Sequence, residues 1–243
     1  MRRLGGALIR DAPGVVSSSL QLLLVIAPDW ASSTAKLQRF ARASRDDDWQ
    51  RCGPATAVSL GKSGLAWGRG LHPPMAGPAK REGDGCAPAG IFAITALFGY
   101  AAPDSPFALA VRLPYLCASR DLKCIDDPAS AYYNRVVDQS CLAASDWASC
   151  EDMLRRDQRY AVGAVVAHNC EPPEPGAGSC IFLHVWESEG APTAGCTAMA
   201  LADMCELAAW LDGAARPLLA QLPQLEYEKL RAAWALPQIG AGA

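Results

Sequence analysis

Ile181-Phe182-Leu183-His184, followed by Thr193-Ala194-Gly195-Cys196-Thr197-Ala198-Met199, is the pair of segments on which the reading of this chain turns. The apolar run, extended to Cys180–Trp186, reads as a buried strand. Thr193 to Cys196 reads as a strand-connecting turn that meets a helix beginning near Ala200. The cysteine lies twelve residues after the histidine. A thiol does acyl chemistry as thiolate, so an imidazole that can take its proton turns it into a nucleophile. Gly195 removes a side chain where a substrate carbonyl must approach, and it permits a turn that aims the Gly195 and Cys196 N–H groups at an oxyanion. A helix N-terminus at Cys196 would favour both thiolate and oxyanion. The competing reading is a buried thiol and a hydrogen-bonded core histidine.

Around these segments the pattern is that of a β-rich chain. Short apolar or alternating runs at Leu22 to Ile26, Lys36 to Phe40, Thr56 to Leu60, Gly90 to Ala96 and Phe107 to Leu113 are separated by Gly, Pro and Asp turns. Tyr160 to His168 adds another strand, and Ala66 to Pro78, rich in Gly and Pro, reads as an exposed loop. The pattern predicts a mainly β fold, a β-sandwich or distorted barrel with a few helices packed against it. Leu201, Met204, Cys205, Leu207, Ala208 and Leu211 share one face of a helix over Ala200 to Leu211, and a second helix is expected over Gln224 to Trp234. Residues 117–157 are polar and contain cysteines, as a long insertion would. The domain is expected over 20–237, after an N-terminal segment 1–19 and before a loose tail 238–243. The N-terminal segment is either loose or the remnant of an export signal, while Leu22 to Ile26 reads as the first core strand.

Composition narrows the function classes. The chain has 243 residues, 51% hydrophobic and 19% charged, enough for one full core. A net charge of −3 with scattered Lys and Arg does not suit a general nucleic-acid binder. No run of eighteen apolar residues suggests a membrane-spanning helix. Ten cysteines leave an odd nine once Cys196 is set aside. Cys117 with Cys124, Cys141 with Cys150, and Cys170 with Cys180 are local pairs able to close short disulfides in an oxidising compartment. A fully reduced set is the alternative. No paired C-x2-C spacing supports a zinc site, so no metal is expected.

The segments His184 and Thr193 to Cys196 resemble the L,D-transpeptidase (YkuD-domain) family, whose signature places a histidine after an apolar strand and then a Ser/Thr-x-Gly-Cys turn. Lys80-Arg81-Glu82-Gly83-Asp84-Gly85 with Pro88-Ala89-Gly90-Ile91-Phe92 is similar to that family's Gly-Asp-Gly loop and Pro-x-Gly-x-Phe strand. Gly61-Lys62-Ser63-Gly64-Leu65, Asp126-Asp127 and Tyr132-Tyr133-Asn134 also look like family positions in a stand-alone branch. The similarity spans roughly Leu22 to Pro237. The chain departs from the pattern in three places. Val185-Trp186 follows the histidine, Thr-Ala-Gly-Cys replaces Ser-His-Gly-Cys, and no arginine follows the cysteine. A backbone carbonyl would then have to fix the imidazole tautomer.

The resemblance implies that Cys196 attacks a carbonyl of a peptidoglycan stem peptide, with His184 as base, to form a thioester. An acceptor amine then resolves it into a cross-link. Water in its place would make the protein an L,D-carboxypeptidase or endopeptidase, and a reading of another class is a non-catalytic wall-binding protein with its cysteine tied up in a disulfide. No cofactor is implied. Carbapenem-type β-lactams are expected to acylate Cys196, and the substrate places the protein in the periplasm or cell envelope. Trp186 and Thr193 flank the expected pair and are expected to contact substrate. His168 and Asn169 are candidates for a substrate-binding role, with a capped strand end as the alternative. Arg69, Lys80 and Arg81 have the charge to receive stem-peptide carboxylates. Asp126 and Asp127 have the charge to hold an amine, though Asp-Asp-Pro also suits a turn.

Overall fold

In the computed structural model of the chain, which describes residues 12–239, Leu22, Leu23, Leu24 and Val25 are consecutive and all buried. A strand achieves this only with cover on both faces, since neighbouring side chains point to opposite sides. The strands, in chain order, are β1 (Gln21–Ala27), β2 (Thr34–Ala41), β3 (Gln50–Ser59), β4 (Leu65–Trp67), β5 (Ala87–Gly99), β6 (Tyr115–Cys117), β7 (Leu122–Cys124), β8 (Val136–Asp138), β9 (Glu151–Asp152), β10 (Val162–Val166), β11 (Phe182–Val185), β12 (Thr197–Met199) and β13 (Leu218–Pro223). The helices are α1 (Ala12–Ser18), α2 (Pro106–Ala110), α3 (Leu201–Trp210) and α4 (Gln224–Leu230). Residues 1–11 of the expected N-terminal segment and 240–243 of the expected tail lie outside the described residues.

Eight strands close a barrel in the order β10-β11-β12-β3-β2-β1-β13-β5, with β5 returning to β10. The fold is thus mainly β, a distorted barrel with few helices. β5 is long enough to pair with β4, β13, β10 and β6 along its length. Inside the ring, Thr197 Oγ1 donates to Gln221 Oε1 at 2.8 Å. Their strands face each other across the ring, β12 reaching β13 through β3, β2 and β1 one way and through β11, β10 and β5 the other. The bond therefore spans the lumen. Gln221 Nε2 donates in turn to the Pro88 carbonyl at 3.0 Å, so this buried amide is satisfied at both ends.

Leu183 belongs to the main core, whereas its neighbour Phe182 belongs to a second apolar cluster with Phe98, Met153, Tyr160 and Cys196. Alternation along β11 sends the two side chains to opposite faces. The second cluster also contains Leu122 and Cys124 of β7, in the small sheet β8-β7-β9. Residues 117–157, expected as a long insertion, therefore form a roof over one side of the barrel.

The structure corrects several sequence expectations. Phe107 to Leu113 holds a helix and not a strand, because Ser105 caps it by accepting the Ala108 N–H at 3.2 Å and Pro106 fits its first turn. β13 was not foreseen, nor was β12, whose residues were read as the approach to a helix. β4 takes Ala66 and Trp67 out of the expected loop, and α4 ends at Leu230, before Trp234. Among the described residues no helix is long and apolar enough to cross a membrane.

Replacing Gln221 by Leu leaves the Thr197 hydroxyl and the Pro88 carbonyl without their partner inside the barrel. The substitution should lower stability by about 2–4 kcal/mol, read as a lower urea midpoint at unchanged slope. An unchanged midpoint would show that the lumen bond contributes nothing.

Candidate active site

β11 and β12 pair in parallel, with His184 opposite Ala198 and Leu183 opposite Thr197. A chain that leaves one strand and enters a parallel neighbour must travel back along its length. Residues 186–196 make that return, and Cys196 arrives beside the start of β11. The Phe182 N–H donates to Cys196 Sγ at 3.3 Å, and the thiol donates to the Cys180 carbonyl at 3.5 Å. His184 stands two residues along β11, on the same face as Phe182. Cys196 and His184 line one pocket of about 150 Å³, together with Glu151, Arg155, Tyr160, Trp186 and Thr193.

Thr193 shapes the turn. Its N–H donates to the Leu60 carbonyl and its own carbonyl accepts the Lys62 N–H, both at 2.8 Å. Its hydroxyl donates to the Cys196 carbonyl at 2.6 Å and accepts the Gly195 N–H at 3.1 Å. That last bond corrects the expected role of Gly195, whose N–H is engaged by Thr193 rather than presented to an oxyanion. A Cβ at Gly195 would lie 3.0 Å from the Cys86 carbonyl oxygen, so the missing side chain lets the turn sit on that backbone. The expected helix terminus is also absent from Cys196, since β12 intervenes before α3.

The quoted motif segments gather behind this turn. Gly61 approaches so closely that a Cβ there would fall 2.3 Å from the Gly85 carbonyl oxygen. Glu82 Oε2 accepts the Tyr133 hydroxyl at 2.5 Å and the Ser179 hydroxyl at 2.9 Å. Asn134 donates to the His168 and Asn169 carbonyls, both at 2.7 Å, and accepts the Cys180 N–H at 2.9 Å.

His184 Nδ1 lies 2.8 Å from the Val185 carbonyl oxygen. A carbonyl only accepts, so Nδ1 carries the proton and Nε2 is the basic nitrogen. Nε2 has no hydrogen bond among the described residues. Burial lowers the His184 pKa to about 4, and burial, with the Glu151 charge second, pushes the Cys196 thiol up to about 12. At neutral pH the two are therefore a neutral thiol and a neutral imidazole. The Tyr160 ring packs edge-on against both His184 and Phe182, at centroid distances of 5.4 and 5.6 Å. Its hydroxyl donates to Glu151 Oε2 at 2.5 Å. Arg155 grips Asp157 through Nε and Nη2 at 3.0 and 2.8 Å, and Arg159 pairs with Glu187 at 2.6 Å.

Of the expected substrate-binding residues, the structure brings Trp186 and Thr193 to the pocket but not His168, Asn169, Arg69 or Lys80. His168 accepts the Arg69 N–H on Nδ1 at 3.2 Å and donates from Nε2 to the Ala177 carbonyl at 2.9 Å. Both ring nitrogens are thereby used by backbone. The Asn169 side chain clamps its own loop through Glu174 and Gly178. Arg69 pairs with Glu174, and buried Lys80 binds Asp84 at 2.6 Å and the Arg81 carbonyl at 2.7 Å. Asp127 staples the Ala129 and Ala148 N–H groups at 2.9 and 2.7 Å. These side chains hold loops together and do not line the pocket.

Glu151, Arg155 and Tyr160 escaped the sequence reading. They lie in or just after a polar stretch without a motif, and folding of the roof alone brings them to Cys196. The roof also sets the disulfide, which joins Cys124 to Cys180, 56 residues apart, with Cα atoms 5.9 Å from each other. The expected local pairs Cys117–Cys124, Cys141–Cys150 and Cys170–Cys180 do not form, and Cys196 is a free thiol. A larger, mostly apolar groove of about 580 Å³, which Trp186 also lines, is built largely by β1, β2 and β3. No protein-family model, no curated protein and no solved structure matches the chain.

Two measurements follow from these environments. Burial holds both His168 and His184 at about 4, below the ordinary 6.5. The unfolded chain therefore takes up protons in that window that the folded chain refuses, so stability falls as pH drops from 6.5 to 4. The loss should be at most about 3 kcal/mol per histidine, seen as urea midpoints that decline over this range, and a flat profile would contradict the assignment. In brief iodoacetamide labelling with peptide mapping at neutral pH, buried Cys196 should react more slowly than exposed Cys141. Faster labelling of Cys196 would contradict the neutral thiol.

Proposed function

We propose that this protein is a cysteine-dependent acyltransferase, in which Cys196 forms a thioester with a peptidoglycan stem peptide and an acceptor amine resolves it into an L,D cross-link. The observation that carries the reading is the shared pocket. Cys196 and His184 line it together, and the Val185 carbonyl fixes the imidazole so that Nε2 is the basic nitrogen. The stem-peptide substrate rests on the resemblance of the His184 and Thr193 to Cys196 segments. With it go the cell-envelope location and acylation by carbapenem-type β-lactams. A free Cys196 thiol favours catalysis over a wall-binding protein whose cysteine is oxidised.

The neutral pair dictates the order of events. Forming thiolate and imidazolium before substrate arrives is unfavourable for a thiol near 12 and an imidazole near 4. The proton instead moves to His184 Nε2 as sulfur bonds to the carbonyl carbon, because the growing C–S bond acidifies the thiol. The imidazolium then protonates the leaving amine as the C–N bond breaks, which leaves the thioester and a neutral His184. Trp186, shared by the pocket and the larger groove, would fix how the stem peptide passes between them.

Incubation with defined disaccharide tetrapeptide and pentapeptide stems, read by mass spectrometry, tests the proposal. Cross-linked dimers should form, vanish in Cys196→Ala, and fall by roughly 100-fold or more in His184→Ala. Trimmed stems without dimers would make the protein a hydrolase on the same cysteine. No product, or full activity in either variant, would refute the assignment.

A further inference from the structure

A thioester alone does not make a transferase, because the acceptor must compete with water. A primary amine meets the protein at neutral pH as an ammonium ion, which has no lone pair to attack with until it loses a proton. The acceptor side of the site therefore needs a group that attracts a cation and takes a proton from it. Two carboxyl groups line the Cys196 pocket, Glu151 and Glu187; Glu187 is paired with Arg159, whereas Glu151 is held by a neutral neighbour, the Tyr160 hydroxyl.

Glu151 lines the pocket from β9, on the roof. Its Oε2 accepts the Tyr160 hydroxyl at 2.5 Å, and the same tyrosine ring braces His184 at 5.4 Å. Carboxyl group and base are thus held by one side chain. The two arginines nearby do not neutralise it by pairing, since Arg155 is gripped by Asp157 and Arg159 by Glu187. Further negative charge lies close. Burial first, then the Asp126 and Glu82 charges, raises the Glu151 pKa, against the Tyr160 hydrogen bond and Arg155. Asp126 Oδ1 is itself buried with no hydrogen bond among the described residues. Carboxyl groups crowded in this way favour a cation or a proton between them.

We propose that Glu151 is the acceptor residue of the site, binding the incoming primary ammonium and taking its first proton; this role rests on the thioester reading above. The carboxylate becomes a carboxylic acid and the freed amine attacks the thioester carbon. As the C–N bond forms and the C–S bond breaks, His184 Nε2 takes the second amine proton and returns it to the departing sulfur. The products are an amide, a Cys196 thiol and a protonated Glu151, which loses its proton to solvent. His184 serves sulfur in both half-reactions, and Glu151 serves nitrogen.

The test compares ethylamine, an ammonium ion at neutral pH, with hydroxylamine, which is largely uncharged there. Both are offered as acceptors with a disaccharide tetrapeptide donor, and mass spectrometry counts amide or hydroxamate against hydrolysed donor. Glu151→Gln keeps the shape and the acceptor for Tyr160 but loses the charge. The amide-to-hydrolysis ratio should fall by about tenfold or more, while the hydroxamate ratio stays within about threefold of the parent, which also shows that the variant is folded. Tyr160→Phe should shift the amide ratio in the same direction. Equal loss with both acceptors would reduce Glu151 to a structural brace, and equal retention would remove it from the reaction. A parent protein that yields no product from any donor overturns the thioester reading and this role together; a parent that transfers while Glu151→Gln transfers equally overturns this role alone.

Discussion

The parallel pairing of β11 with β12 is the constraint on which the site depends. It obliges the chain to double back, so that a cysteine twelve residues after a histidine in sequence stands beside the start of that histidine's own strand. An antiparallel hairpin would place the equivalent residue elsewhere along β11. Everything crowded against the return loop serves this arrangement. Thr193 ties the turn to Leu60 and Lys62, and the glycines at 61 and 195 let three backbone segments approach closer than side chains would permit.

The roof is the second requirement. The Phe98, Tyr160 and Phe182 rings meet edge-to-face at centroid distances of 5.1 to 5.6 Å, and they fill the space between barrel and small sheet. The Cys124–Cys180 disulfide fastens the same two layers close to Cys196, since the Cys180 carbonyl accepts the Cys196 thiol. Burial under the roof has an electrostatic consequence. It suppresses charge on both Cys196 and His184, which rest as a neutral thiol and a neutral imidazole. The same burial leaves Glu151 with a proton affinity above that of an exposed carboxylate.

Much of the barrel was legible in the sequence because buried strands leave a local trace. Leu22 to Ile26, Lys36 to Phe40 and Gly90 to Ala96 all fall inside strands, and α3 follows its apolar face. The failures have physical causes. Ser105 and Pro106 start a helix that apolar alternation disguised as a strand. β12 is only three residues long, too short for periodicity to register. The arginine, lysine, histidine and asparagine expected at the substrate were chosen for their chemistry, but their hydrogen-bonding capacity is spent on loops and on one another.

By itself, then, the sequence determined a β-rich chain and a cysteine set twelve residues after a strand histidine, because each is written in adjacent or closely spaced residues. Only the tertiary structure decided which cysteines join, that Thr193 takes the Gly195 N–H, and that Glu151 and Tyr160 reach the pocket. Those outcomes depend on segments far apart in the chain coming together, such as β7 with Cys180 and Glu151 with the pocket of Cys196. Sequence spacing carries no record of how a roof will settle on a barrel.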